Sequence, residues 1–224
     1  MQKKLLLLLV LLLFGLGMPQ ATSIIGGSSL ITTSNVSQLE TWLGETNLAL
    51  TKIFSKSANG ASAAAFHSHA DNQGRTFTLI EIINGSDTRI VGGYYSRSWS
   101  SVRSYDRSAG GSFLFNLTSS TLYSHSRFDY YAYDDDRYGP TWGGGHDLYI
   151  NNTLSGGYAN IGHDYGDPGQ YGQAAYRNAF TGSYSSWTVG GLEVFTIAED
   201  QAPEPASLAL LCIALAAVGI TRKK

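Results

Sequence analysis

The chain is poor in cysteine, proline and charge. One cysteine among 224 residues excludes an intramolecular disulfide and a cysteine-rich zinc site. Charged residues are only 14%, and 15 Lys+Arg against 17 Asp+Glu give a formal charge of −2. That balance excludes a polybasic nucleic-acid binder driven by phosphate neutralisation. No Gly-x-Ser-x-Gly, no catalytic cysteine and no close carboxylate pair is set by the sequence, so no nucleophile signature is present. No internal repeat of fixed period occurs. What remains is apolar and flexible at its turns: 43% hydrophobic residues, 26 glycines and 14 tyrosines, with five prolines. Such a chain is not disordered by composition, and its glycines and aromatics suggest a turn-rich β protein.

The two ends read differently from the middle. Lys3 and Lys4 precede an apolar run from Leu5 to Leu16, and Ala21-Thr22-Ser23 offers small residues for cleavage, so residues 1–23 are expected to be a signal peptide. An uncleaved anchor helix is the alternative, against which the run is short. At the other end, Pro203-Glu204-Pro205 stands before an uncharged stretch from Ala206 to Ile220 and the cations Arg222, Lys223 and Lys224. Cations at both ends place the intervening chain outside the inner membrane. This second segment, 203–224, resembles a PEP-CTERM sorting signal. The resemblance implies processing by an exosortase in a Gram-negative bacterium, transient inner-membrane association, and delivery to the cell surface or exopolysaccharide matrix. A plain tail anchor is the alternative. Cys212 lies inside this segment, so residues 24–202 carry no thiol. They hold ten basic and sixteen acidic residues, a charge of −6, and form one domain by length.

Within that middle, Ser37-Gln38-Leu39-Glu40 reads as a capping box opening a short helix that stops at Gly44. A second short element covers 47–57, and 61–70 is expected to be helical. Thr76 to Ile83 and Arg89 to Tyr95, joined by Asn84-Gly85-Ser86-Asp87, predict a hairpin. Strands are expected at 112–117, within the aromatic stretch 122–133, at 147–150 and, as the closing strand, at 192–197. Helices first and glycine-linked antiparallel strands afterwards predict a mainly β domain with helices (α+β): a sandwich of two antiparallel sheets flanked by short helices.

Seven blocks in order resemble the TLDc domain, the family of the oxidation resistance proteins. They are Phe66-His67-Ser68-His69-Ala70-Asp71, the strand Thr76 to Ile83, and Gly92-Gly93-Tyr94-Tyr95 with Trp99. Then come Phe113-Leu114-Phe115-Asn116-Leu117 and Gly139-Pro140-Thr141-Trp142-Gly143-Gly144-Gly145-His146-Asp147-Leu148. Tyr158 to Gly162 and Leu192-Glu193-Val194-Phe195 complete the set. Trp142 stands where the family usually has phenylalanine, Ala70 replaces a common cysteine, and residues 166–184 follow no family block. The resemblance implies a two-sheet fold, a stress-protective role and no settled enzymatic activity.

Several side chains carry two readings. His67 is a buried, hydrogen-bonded histidine or, with His69, half of a metal pair, although two residues apart on a helix they face different sides. Asp147 pins the glycine loop or serves a ligand. Gly143-Gly144-Gly145 is no phosphate loop, since neither Lys-Ser/Thr nor a helix follows. Asp134-Asp135-Asp136 is a solvated turn or a calcium site. The tyrosines, especially Tyr130, Tyr131, Tyr133, Tyr138, Tyr165, Tyr171 and Tyr184, fill the core or form a stacking platform for sugars. The first expectation is a non-enzymatic exported domain that binds polysaccharide or an envelope protein and needs no cofactor. The alternative is a hydrolase-like enzyme using His146, Asp147 and Glu193, which requires those three to converge.

Overall fold

The computed structural model describes residues 22–197. Residues 1–21 of the expected signal peptide (1–23) and the whole sorting segment lie outside the described residues, while Ser23 opens the first strand. Among the described residues, no helix is long and apolar enough to cross a membrane.

The chain begins with β1 (Ser23–Ile25), α1 (Thr33–Leu43), β2 (Ala49–Ser55), a helical turn α2 (Lys56–Asn59) and α3 (Ala63–Ala70). The hairpin follows as β3 (Thr76–Asn84) and β4 (Asp87–Tyr95), in register from Thr76 opposite Tyr95 to Asn84 opposite Asp87. Next come β5 (Ser104–Asp106), β6 (Phe113–Asn116), β7 (Thr121–Ser124), β8 (Ala132–Asp134), β9 (Thr141–Trp142), β10 (Leu148–Ile150) and β11 (Gly157–Ala159). Helix α4 (Ala174–Thr181) and β12 (Thr188–Ile197) complete the described chain. The strands form two sheets, a seven-stranded one in the order β1-β2-β12-β3-β4-β6-β7 and a five-stranded one in the order β11-β10-β9-β8-β5. The protein is thus mostly β, with two sheets and a few short helices.

Four local expectations are corrected. Helix α1 starts a turn before Ser37, at Thr33, because the Thr32 backbone N–H is met by Asn35 Oδ1 at 2.9 Å. The earlier start adds Val36 to the buried face beside Leu39. The chain is not wholly antiparallel: β1 pairs parallel with β2, since α1 makes the crossover between them. Within 122–133 only the two ends are strands, β7 and β8. Finally, β12 is longer than the alternating run 192–197 and is central, between β2 and β3. A bulge between Val189 and Leu192, at Gly190-Gly191, breaks the period of two there and hides the first half of the strand from pattern reading.

The large sheet is buried on both faces, which explains the nearly unbroken apolar run of β3. Ile80, Ile82, Val91, Leu114 and Val194 face a core that also contains Trp142, Leu148, Ile150 and Ala159 of the small sheet. Phe77, Leu79, Phe115 and Phe195 face the opposite way, under Val36 and Leu39 of α1.

Candidate functional site

The glycine block joins β9 to β10 and is locked from two sides. Trp142, fully buried, lies flat against Gly93 of β4: a Cβ there would stand 2.6 Å from Trp142 Cε2. The Gly92-Gly93 and Trp142 blocks are therefore one interlocking contact. Beyond Trp142 the chain turns at Gly143, whose φ is +80° and whose Cβ would fall 2.0 Å from Asp147 Oδ2. Asp147 is completely buried. Its Oδ1 accepts the backbone N–H groups of His163, Asp164 and Tyr165 at 3.0, 3.1 and 3.1 Å, and its Oδ2 accepts that of Asp164 at 3.0 Å. Asp147 therefore pins the segment 163–165, and the glycines make room for it. Burial pushes its carboxyl up to about 8, Asp164 adds to this, and the three amides pull against it.

On the small sheet the period of two separates an inner from an outer face. Ala132, Asp134, Leu148, Ile150 and Ala159 are buried, whereas Tyr133, Tyr149 and Tyr158 are half-buried and point outward. Register puts Tyr105 opposite Tyr133 and Tyr149 opposite Tyr158. Their ring centroids are 4.6 and 4.9 Å apart. Tyr138 stands edge-on to Tyr149 at 5.1 Å, Tyr130 packs on Tyr105 at 4.9 Å, and the exposed Tyr184 stacks on Tyr158 at 5.4 Å. His146 sits among them with φ +52°, stacked on Tyr149 at 5.8 Å and 5.5 Å from Tyr133. Burial raises the phenols of Tyr105 and Tyr149, carries that of Tyr158 to about 12, and lowers His146. The rings themselves are thus uncharged and carry hydroxyls at neutral pH, while Arg107, Arg137 and Arg177 lie over Tyr130, Tyr138 and Tyr184.

The remaining predicted residues fall elsewhere. His146, Asp147 and Glu193 do not converge. Leu192 and Val194 join the core shared with the small sheet, so Glu193 points to the other face of the large sheet. There, buried, it accepts Ser28 Oγ at 2.5 Å and the Ser29 amide at 3.1 Å, and lies 3.4 Å from Lys52 Nζ. The calcium reading of Asp134–Asp136 fails geometrically because the three carboxylates diverge. Asp134 takes Tyr95 Oη and Ser100 Oγ, Asp135 takes Arg137 bidentately, and Asp136 takes Arg103 bidentately. His67 is buried, with Nδ1 on Asp71 Oδ1 at 2.7 Å and Nε2 on the carbonyls of Asp135 and Tyr138 at 3.0 and 3.1 Å. His69 instead contacts Asn59 and the Ala65 carbonyl. Tyr165 is fully buried, while Tyr171 is exposed. Of the family blocks, Tyr94, Phe115 and Phe195 belong to the core under α1, and Trp99 packs edge-on to Trp142 at 5.2 Å. Gly139 and Pro140 are buried at the entry to β9.

One grouping was not foreseen from the sequence. Asp147, His163 and Asp164 each bring one ligand-capable atom within 4.8 Å of the others. His163 and Asp164 belong to no motif, and only the amide bonds to Asp147 carry them to it.

Two sheets, a loop cleared by glycine and pinned by a buried carboxylate, and an aromatic outer face define a mostly β domain built around the 139–148 signature. The family model of the TLDc domain matches residues 24–198. The chain belongs to that family. No match to a curated protein was found.

Proposed function

We propose that the protein is an exported, non-catalytic binding domain whose tyrosine face lies against sugar rings of an exopolysaccharide or envelope glycan. The observation that carries this reading is the concentration of Tyr105, Tyr130, Tyr133, Tyr138, Tyr149, Tyr158 and Tyr184 around His146 on the outer face of one sheet. Flat, uncharged rings with hydroxyl rims match the apolar faces and hydroxyl edges of sugars. The two sheets enclose one core between them, which supports a sandwich with this face turned outward. The signal-peptide pattern and the Pro203-Glu204-Pro205, apolar, basic order support export, exosortase processing and delivery to the surface or matrix. Membership of the TLDc family supports an oxidation-resistance-like, stress-protective role.

Retention of the purified protein on immobilised exopolysaccharide tests the reading. Binding is expected, and Tyr149→Ala with Tyr158→Ala should weaken it by about tenfold to a hundredfold, at roughly 1 kcal/mol per lost stacking contact plus buried area. No retention on any matrix or envelope glycan, or equal retention of the double variant, would refute it. Replacing Pro203, Glu204 and Pro205 together by alanine should leave an unprocessed, membrane-associated precursor in cell fractions. Unchanged processing would remove the exosortase assignment.

A further inference from the structure

We infer that Asp147, Asp164 and His163 form a binding site for a divalent transition-metal cation such as Zn²⁺, with two carboxylate oxygens and one imidazole nitrogen as ligands. The site adjoins the tyrosine face at Gly144, whose N–H is bonded to Asp164 and whose carbonyl accepts Tyr105 Oη, but it does not depend on that face binding sugar.

Geometry comes first. His163 Nδ1 and Asp164 Oδ1 lie 3.2 Å apart. Both atoms are buried, and neither has a hydrogen-bond partner, so their close approach is not aligned as a hydrogen bond. Around a tetrahedral zinc ion with bonds of about 2.0–2.1 Å, neighbouring ligand atoms are about 3.3–3.4 Å apart. The observed separation fits one edge of such a tetrahedron. An oxygen of Asp147 lies within 4.8 Å of both.

The second observation is the state of Asp164. Its side chain is wholly buried. Oδ2 accepts the Gly144 backbone N–H, whereas Oδ1 faces the cluster with no partner. A buried carboxylate oxygen left without a donor is costly and calls for a counter-charge. Among the described residues, His163 is the only cation-forming side chain within ion-pair distance of either aspartate. A divalent ion between the three groups would partner Asp164 Oδ1 and His163 Nδ1 at once, while Asp147 keeps its amide bonds and adds an oxygen.

The third is the shape of the loop above them. Gly143 and Gly145 are each cleared for one member of the trio, and Gly144 is closed in by Tyr130, at 2.8 Å, as well as by Asp164. A Cβ on Gly143 would fall 2.0 Å from Asp147 Oδ2, on Gly144 3.0 Å from Asp164 Oδ2, and on Gly145 2.4 Å from His163 Cγ. Four backbone N–H bonds to Asp147 hold its oxygens in place. The donor set selects the ion: two oxygens and an imidazole suit zinc, manganese or ferrous iron, whereas calcium wants six or more oxygens. Three protein ligands leave one position of a tetrahedron for water or a ligand. The three ligand-capable atoms are buried, and the His163 imidazole, 26% exposed, stands between the rings of Phe128 and Tyr171.

The test is calorimetric titration of the untagged, chelator-treated protein with Zn²⁺ and with Mn²⁺. One saturable site per chain is expected, together with a rise of several degrees in melting temperature. His163→Gln, at a partly exposed position, should keep the fold and weaken binding at least tenfold. His69→Gln should bind as the unaltered protein does. The absence of saturable binding for both ions would leave only a His163–Asp164 ion pair and overturn the site. Full affinity in a folded His163→Gln variant would place the ion elsewhere and overturn it equally.

Discussion

The contact between Gly93 and Trp142 makes a quantitative prediction. A methyl group at residue 93 would meet Trp142 Cε2 at 2.6 Å, Trp142 Cζ2 at 2.7 Å and Leu114 Cδ2 at 2.9 Å. The indole cannot step aside freely, because it is fully buried and held edge-on by Trp99 at 5.2 Å. The backbone at Gly93 does not have a positive φ, so the cost of Gly93→Ala is steric. Overpacking of this kind costs about 1–3 kcal/mol, and three close atoms place it near the upper end. Trp142→Phe alone removes part of a ring and should cost about 1 kcal/mol through the gap left behind. Independent effects would sum to about 4 kcal/mol in the double variant. The smaller ring instead vacates space for the new methyl, so the double variant should lose only about 2 kcal/mol, a coupling of about 2 kcal/mol. Urea unfolding followed by far-ultraviolet circular dichroism avoids the altered tryptophan signal. At this chain length, 1 kcal/mol corresponds to about 2–4 °C in Tm. Strict additivity, within about 0.5 kcal/mol, would show that the two blocks do not interlock and would refute the reasoning.

Two further outcomes follow from buried polar groups. His67 presents both ring nitrogens to oxygen acceptors: burial lowers its pKa, but Asp71 and the two carbonyls outweigh this and raise it above 6.5. Its stabilisation is therefore complete below pH 6.5 and is lost as pH rises through the folded value. His67→Gln should cost about 2 kcal/mol at pH 6 and flatten the urea midpoint between pH 6 and pH 8; an unchanged slope would contradict the doubly donating imidazolium. Asp147→Ala leaves the amides of His163, Asp164 and Tyr165 without their acceptor and should cost about 3–5 kcal/mol, with hydrogen exchange accelerated at those three amides. Equal protection there would mean that Asp147 does not hold the segment.

Much of the architecture was legible because it rests on local chemistry. The hairpin at 76–95 is written in β-branched residues around a glycine turn, and α3 ends at Ala70, just before the turn residues Asp71-Asn72-Gln73-Gly74. The family blocks located Trp142 and Asp147, but their partners lie far away in sequence. Nothing near Asp147 announces that it holds residues 163–165, and nothing in a tyrosine count separates the buried Tyr165 from the outward Tyr149. Tyr149 is turned outward by the register of three-residue strands, too short for a pattern to reveal, and Tyr165 is drawn inward by the Asp147 bond to its amide. Glu193 shows the converse: alternation correctly turned it away from Leu192 and Val194, but did not disclose that the far face is covered by Ser28 and Ser29.

The place of β12 bears on biogenesis. It separates β2 from β3, so the seven-stranded sheet exists only as two fragments, β1-β2 and β3-β4-β6-β7, before residues 188–197 emerge from the ribosome. At roughly 5–20 residues per second the nascent polypeptide carries two unmated, apolar strand margins for several seconds. Nucleation that joins residue 50 to residue 197 is a late, long-range event. Translation that stops short of Thr188 thus yields an adhesive remnant, and vectorial synthesis delivers the keystone of the sheet last.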